Sequence, residues 1–126
     1  MPTKGHDGDA GWDLYTPVSF EVPAKGFSER INLLVGFEIP KAHAGLVIER
    51  SSQGKKGLGS VGPVVDHGYT GDVHVTLCNS SEEVVRYGAG DRVAQLVVVP
   101  VFDGQLELSE TLEGERGDNG HGSTGA

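Results

Sequence analysis

In "GPVVDHGYTGD" an acid closes a short apolar run, and an aromatic follows three residues later on a glycine-flanked turn. Asp66 and Tyr69 in that arrangement admit two readings. One is turn chemistry, with the Asp66 carboxylate bonding turn amides and Tyr69 covering the strand end. The other is a general base beside an aromatic wall able to stack on a flat ligand or a sugar. Upstream, "ERSSQGKKG" sets Arg50, Ser51, Ser52, Lys55 and Lys56 around Gly54. It is either a solvated polar loop or an oxyanion cradle: a guanidinium fork, hydroxyl donors and a backbone free to turn its amides inward. The spacing is not the GxxxxGK[ST] of a P-loop, and no helix is expected to follow.

"DAGWDLY" offers Asp9 and Asp13 around a Gly-Trp pair. A hard cation such as Mg²⁺ takes one or two carboxylates, directly or through water, and shares the rest of its shell with phosphates. The plainer alternative is a β-bend with a solvated acid. Gln95 interrupts the apolar strand "GDRVAQLVVVPV"; a polar amide there must satisfy a neighbouring strand or face a ligand. The five His residues form no zinc spacing, and the one Cys, Cys78, reads as a half-buried strand thiol. The chain ends in "RGDNGHGSTGA", where Arg116, Ser123 and Thr124 stand among four glycines. Such a segment has no side chain suited to a core, and ordering its backbone costs more entropy than most compositions.

These groups need a scaffold, and the sequence describes an all-β one. The 126 residues suit one domain. Gly 20 is about twice average usage, and Val-rich runs between tight turns favour strands over helices. In "DVHVTLCN", Val73, Val75 and Leu77 share one face while Asp72, His74, Thr76 and Cys78 share the other. "RINLLVGFEIP", "AGLVIERS" and "DRVAQLVVVPVF" read as further strands, and "WDLYTPVSFEVPAKG" as two short ones around Pro17. The turns recur at the spacing of a sandwich, jelly roll or barrel. The hydrophobic pattern stops at Gly114, which predicts a domain over 1–113 and a flexible arm over 114–126. A net charge of −8 argues against a nucleic-acid surface but not against a small anion held by a few local cations. No signal peptide or membrane span is expected, and a lone thiol suits a reducing cytoplasm.

Taken in order, "AGWDL", "RSS…GL", "VVDHGYTGD", "GDRVAQL" and "RGDNGHGSTG" resemble the five motifs of the trimeric deoxyuridine triphosphatases, over about Pro2 to Gly125. The resemblance implies a β-clip, distorted jelly-roll subunit and a homotrimer whose three active sites each draw on all three chains. It implies Mg²⁺-dependent hydrolysis of dUTP to dUMP and pyrophosphate, with Asp66 activating the water that attacks the α-phosphorus. Tyr69 would pack on the deoxyribose and exclude a 2′-hydroxyl. Arg50, Ser51, Ser52 and Gln95 would hold the phosphates, Ser60 and Gly62 would lie on the hairpin that reads the base, and Asp13 would reach Mg²⁺ through water. In the arm, Arg116 would pair with the γ-phosphate, Gly122, Ser123 and Thr124 would add donors, and His121 would stack on uracil.

The chain departs from that pattern in the arm, where His121 stands in place of the family's usual Phe. It departs again on the hairpin, with Pro63 where the family has Gly and Ser60 where it has Asn, and the stretch between "RSS" and "VVD" is shorter by about three residues. The related dCTP deaminases are the nearest alternative, but the position of their catalytic Glu holds Thr76, and deamination needs a group there to shuttle protons. A nucleotide-sensing or protein-binding module on the same fold is the other alternative; such a module has no use for a base beside a water.

Overall fold

A computed structural model of the chain describes residues 1–118. Among these, the main sheet is antiparallel, in the order β1 (Gly11–Tyr15), β10 (Arg92–Pro100), β5 (His43–Ile48) and β7 (Val64–Asp66). A second sheet is centred on β8 (His74–Asn79). Asn79 pairs with both Gly26 and Leu58, so β3 (Gly26–Phe27) and β4 (Ile31–Asn32) follow one another along one edge of β8, while β6 (Leu58–Val61) takes the other. β2 (Phe20–Val22) and β9 (Val85–Tyr87) form a separate ribbon, whose Phe20 and Tyr87 rings stack with centroids 5.0 Å apart. The chain is thus an all-β, distorted jelly roll.

The core forms where the sheets face each other. On β8, Val75 and Leu77 are buried while His74, Thr76 and Cys78 are half-exposed, as the alternation predicts. Leu14 of β1, Val93 of β10 and Val22 of β2 close the same core, each fully buried. A fully buried side chain of this size contributes about 1.5–3 kcal/mol, so the sheets that carry the polar residues are held firmly.

Two segments differ from the sequence reading. "RINLLVGFEIP" is a strand only at Ile31–Asn32. Leu33 and Ile39 are buried, but the backbone between them is irregular, with Leu34 at φ 53°. The apolar run there records burial, and burial does not require a ladder. Conversely, the polar "SSQG" forms one helical turn, α1 (Ser51–Gly54), where no helix is expected. Beyond β10, residues 101–118 form no strand, and Phe102, Leu106, Leu108 and Leu112 are all more than 90% exposed.

Candidate functional site

The polar residues gather at two stations. The first opens where the chain changes partners. It leaves β8 at Val61, opposite Thr76, and joins β5 at Val64, opposite Leu46. β7 and β8 part there, and a pocket of about 490 Å³ lies between them, lined among others by Arg30, Gly62, Asp66, Tyr69, His74 and Thr76. The turn that follows β7 is closed by main-chain groups, Tyr69 N–H donating to Asp66 C=O at 3.2 Å. The Asp66 side chain makes no hydrogen bond or ion pair among the described residues. Its carboxylate is therefore not spent on turn amides. Tyr69 is 48% exposed, and its hydroxyl donates to Asp72 C=O at 2.9 Å. That bond fixes the ring as a wall of the pocket.

β7 is also the outer strand of its sheet. Val47 N–H donates to Pro63 C=O at 3.3 Å, and in an antiparallel ladder the bonded residues alternate. Val64 therefore turns its N–H and C=O away from β5, presenting one donor and one acceptor at the strand's open edge. Gly62 has a packing reason: a Cβ there would stand 2.3 Å from Val47 C=O, so only glycine lets the hairpin approach β5. The Ser60 hydroxyl is buried with no hydrogen-bond partner among the described residues, and Ser60 does not line the pocket.

The second station lies beyond the other end of β5. Asp13 on β1 accepts two cations, with Arg50 Nε 3.3 Å from Oδ1 and Arg92 Nη1 3.6 Å from Oδ2. Gln95 is the register partner of Asp13, and its Nε2 donates to Glu49 C=O at 3.0 Å. That position depends on Gly11, because a Cβ there would meet Gln95 Oε1 at 2.0 Å. Ser51 and Ser52 are exposed on α1. Arg50, Ser52, Lys56, Arg86 and Arg92 line a second pocket of about 340 Å³. Asp9 stands apart, accepting from His6 N–H at 2.9 Å within its own bend.

Two residues of this station escape the sequence reading. Gln53 is 4% exposed. Its Oε1 accepts from Arg50 N–H at 2.9 Å, and its Nε2 donates to Tyr87 Oη at 2.8 Å and to Val93 C=O at 2.9 Å. It ties the Arg50 backbone to β9 and β10. Burial pushes the Tyr87 phenol above its ordinary range, against the lowering effect of the Gln53 bond, so that hydroxyl stays a neutral partner. Nothing in "RSSQGKKG" separates a buried Gln from a solvated one. Arg92 is the other; "GDRVAQL" draws attention to Gln95, while Arg92 shares the Asp13 carboxylate.

Asp66 and Arg50 attach to β5 at opposite ends. Asp66 pairs with Ala44 near the start of β5, and Arg50 is six residues further along, at most about 20 Å of extended backbone. Arg116 is exposed, in a turn over residues 115–118. His121, Gly122, Ser123 and Thr124 lie outside the described residues.

Comparison with known proteins places this arrangement. The family model for dUTPase matches residues 1–125. The deoxyuridine 5′-triphosphate nucleotidohydrolase of Saccharomyces cerevisiae is 37% identical over 128 residues, covering 99% of this chain and 86% of that protein. The one from vaccinia virus (strain Copenhagen) is 34% identical over 125 residues, covering 98% and 84%. Among solved structures, the dUTPase of Staphylococcus bacteriophage 80alpha with dUPNHPP superposes with a TM-score of 0.89 at 27% identity, over 100% of this chain and 92% of that one. With the motifs in order, the same fold and a family match over nearly its whole length, the chain belongs to the dUTPase family.

Proposed function

We propose that this chain hydrolyses dUTP to dUMP and pyrophosphate, with Asp66 as general base for the water that attacks the α-phosphorus. The observation that carries the reading is the Asp66 carboxylate, unbonded among the described residues, beside the Tyr69 ring in a pocket of about 490 Å³. A base in this role must keep an oxygen available to the proton it takes. The open edge of β7 supplies what a pyrimidine edge can pair with, a donor and an acceptor on Val64. The Tyr69 wall leaves no room for a 2′-hydroxyl on a sugar stacked against it. Arg50, with Ser51, Ser52 and Gln95, binds the phosphates; Asp13 and Gln53 orient Arg50, and Arg92 adds a second guanidinium. Catalysis is then positioning and charge neutralisation. Thr76 lines the Asp66 pocket with a hydroxyl where deamination would need a carboxylate.

Mg²⁺ fits as an ion that arrives on the triphosphate. Among the described residues no three His, Cys, Asp or Glu side chains come together, and both Asp13 oxygens already face guanidinium groups. That donor set suits contact through water, with the phosphates as direct ligands. Bound there, the ion would neutralise phosphate charge and hold the triphosphate in one conformation.

The assembly that suits these distances is a homotrimer with sites shared between chains. Asp66 and Arg50 leave β5 at opposite ends, up to about 20 Å apart along the backbone, which suits one dUTP held between two chains better than one held within a single chain. Asp66 and Tyr69 of one chain therefore meet Arg50 and Gln95 of a second. Phe102, Leu106, Leu108 and Leu112 are each exposed in this chain, and burial against a neighbouring chain would account for them. The arm over 114–126 then closes the site from a third chain, bringing Arg116, His121, Gly122, Ser123 and Thr124 to the nucleotide. With a charge of −8 and no helix among the described residues long and apolar enough to cross a membrane, neither nucleic acid nor a membrane is proposed as a partner.

Pyrophosphate release from each common deoxy- and ribonucleoside triphosphate, with and without Mg²⁺, tests the proposal. dUTP with Mg²⁺ is the expected substrate, far ahead of UTP. Equal rates on UTP and dUTP would remove the role of Tyr69, and ammonia from dCTP would make the chain a deaminase.

A further inference from the structure

The turn from Asp66 to Asp72 is exposed along its whole length, so few contacts fix the direction of the carboxylate at its start. Support comes from the irregular segment 33–40 behind it. Gly36 lies so close that a Cβ would stand 2.8 Å from Thr70 C=O and 3.0 Å from Gly71 C=O. Val35 C=O accepts from Val73 N–H at 2.8 Å. These contacts hold the far end of the turn. The end nearest Asp66 is held by a side chain, with His67 Nδ1 2.7 Å from Ile39 C=O.

A carbonyl only accepts, so Nδ1 carries the proton. Ile39 is itself 4% exposed, which makes its carbonyl a fixed post rooted in the core. Asp66 lines the pocket, and His67, its neighbour, is absent from that lining and reaches back. Among the described residues the one other side chain of the turn that bonds outside it is at the far end, where Asp72 Oδ2 accepts from Asn32 Nδ2 at 3.1 Å.

We infer that His67 is a positioning residue: its Nδ1–H bond to Ile39 C=O fixes the turn and thereby aims the Asp66 carboxylate at the attacking water. This rests on Asp66 being the base. Losing the bond leaves the strand edge and the phosphate station intact, so it affects the chemical step more than binding. Misplacing a catalytic group by about 1 Å costs up to a hundredfold.

The test compares His67→Gln, His67→Phe and His67→Asn. An Asn amide nitrogen can occupy the place of Nδ1, whereas a Gln amide extends one carbon too far. His67→Gln and His67→Phe should lower kcat by about ten- to hundredfold with KM for dUTP within about twofold, and His67→Asn should recover kcat to within about threefold of the parent. If His67→Phe fails to fold, the Gln and Asn pair carries the comparison. Unchanged kcat in His67→Gln, equal losses in Gln and Asn, or a rise in KM alone would overturn the inference. Asp66→Asn run alongside separates the two readings: if it keeps turnover, the assignment of the base fails whatever His67 does, and if it alone is inactive, only the role of His67 fails.

Discussion

At the scale of single residues, what separates a catalytic acid from a turn acid is which oxygens are already engaged. The Asp66–Tyr69 turn is closed through the Asp66 main-chain carbonyl, and that choice leaves the carboxylate to the pocket. Asp66→Asn should hold nucleotide affinity within a few-fold and lower kcat by at least about a hundredfold, the scale of a lost general base; single-turnover kinetics beside binding of a non-hydrolysable analogue measures both. Tyr69→Ala should narrow the preference for dUTP over UTP by about tenfold or more, because the wall proposed to exclude the hydroxyl is gone; the ratio of kcat/KM values reports it. That Asp66 and Tyr69 would line one pocket is legible in the sequence, because an acid and an aromatic between glycines are unusual at a strand end. Gln53 and Arg92 are not. Their roles come from burial and from a carboxylate brought in by another strand, and neither leaves a local pattern.

At the scale of elements, alternation reads β8 correctly because one face is buried and the other half-exposed. It misreads residues 33–40, where Leu33 and Ile39 reach the core from irregular backbone. Two glycines mark where elements meet. Gly11→Ala should displace the Gln95 amide, raising KM for the triphosphate while leaving the melting temperature nearly unchanged, since the clash falls on a movable side-chain end. Gly62→Ala meets backbone instead and should cost about 1–3 kcal/mol in denaturant unfolding. Deleting 114–126 should leave the ligand-free melting temperature nearly unaltered, because its described residues are exposed. The same deletion should remove most activity and most of the stabilisation by a non-hydrolysable dUTP analogue with Mg²⁺. Thermal shift with and without the analogue reads both effects.

At the scale of the whole molecule, β5 acts as a spacer. It holds the Asp66 turn by one end and delivers Arg50 beyond the other, so the rigidity that positions each station also keeps them apart. A second copy is the simplest way to bring Asp66 of one chain to Arg50 of another. Mixing Asp66→Asn chains with Arg50→Ala chains, after dissociation and reassembly, tests this most directly. Each variant alone should be inactive. If neighbouring chains complete one another, a site at the junction of an intact Asp66 and an intact Arg50 is whole, and random assembly of a cyclic trimer should restore about a quarter of the sites. If each chain used its own Asp66 with its own Arg50, every site in every mixture would carry a defect, and no activity would return even with mixed trimers confirmed by mass.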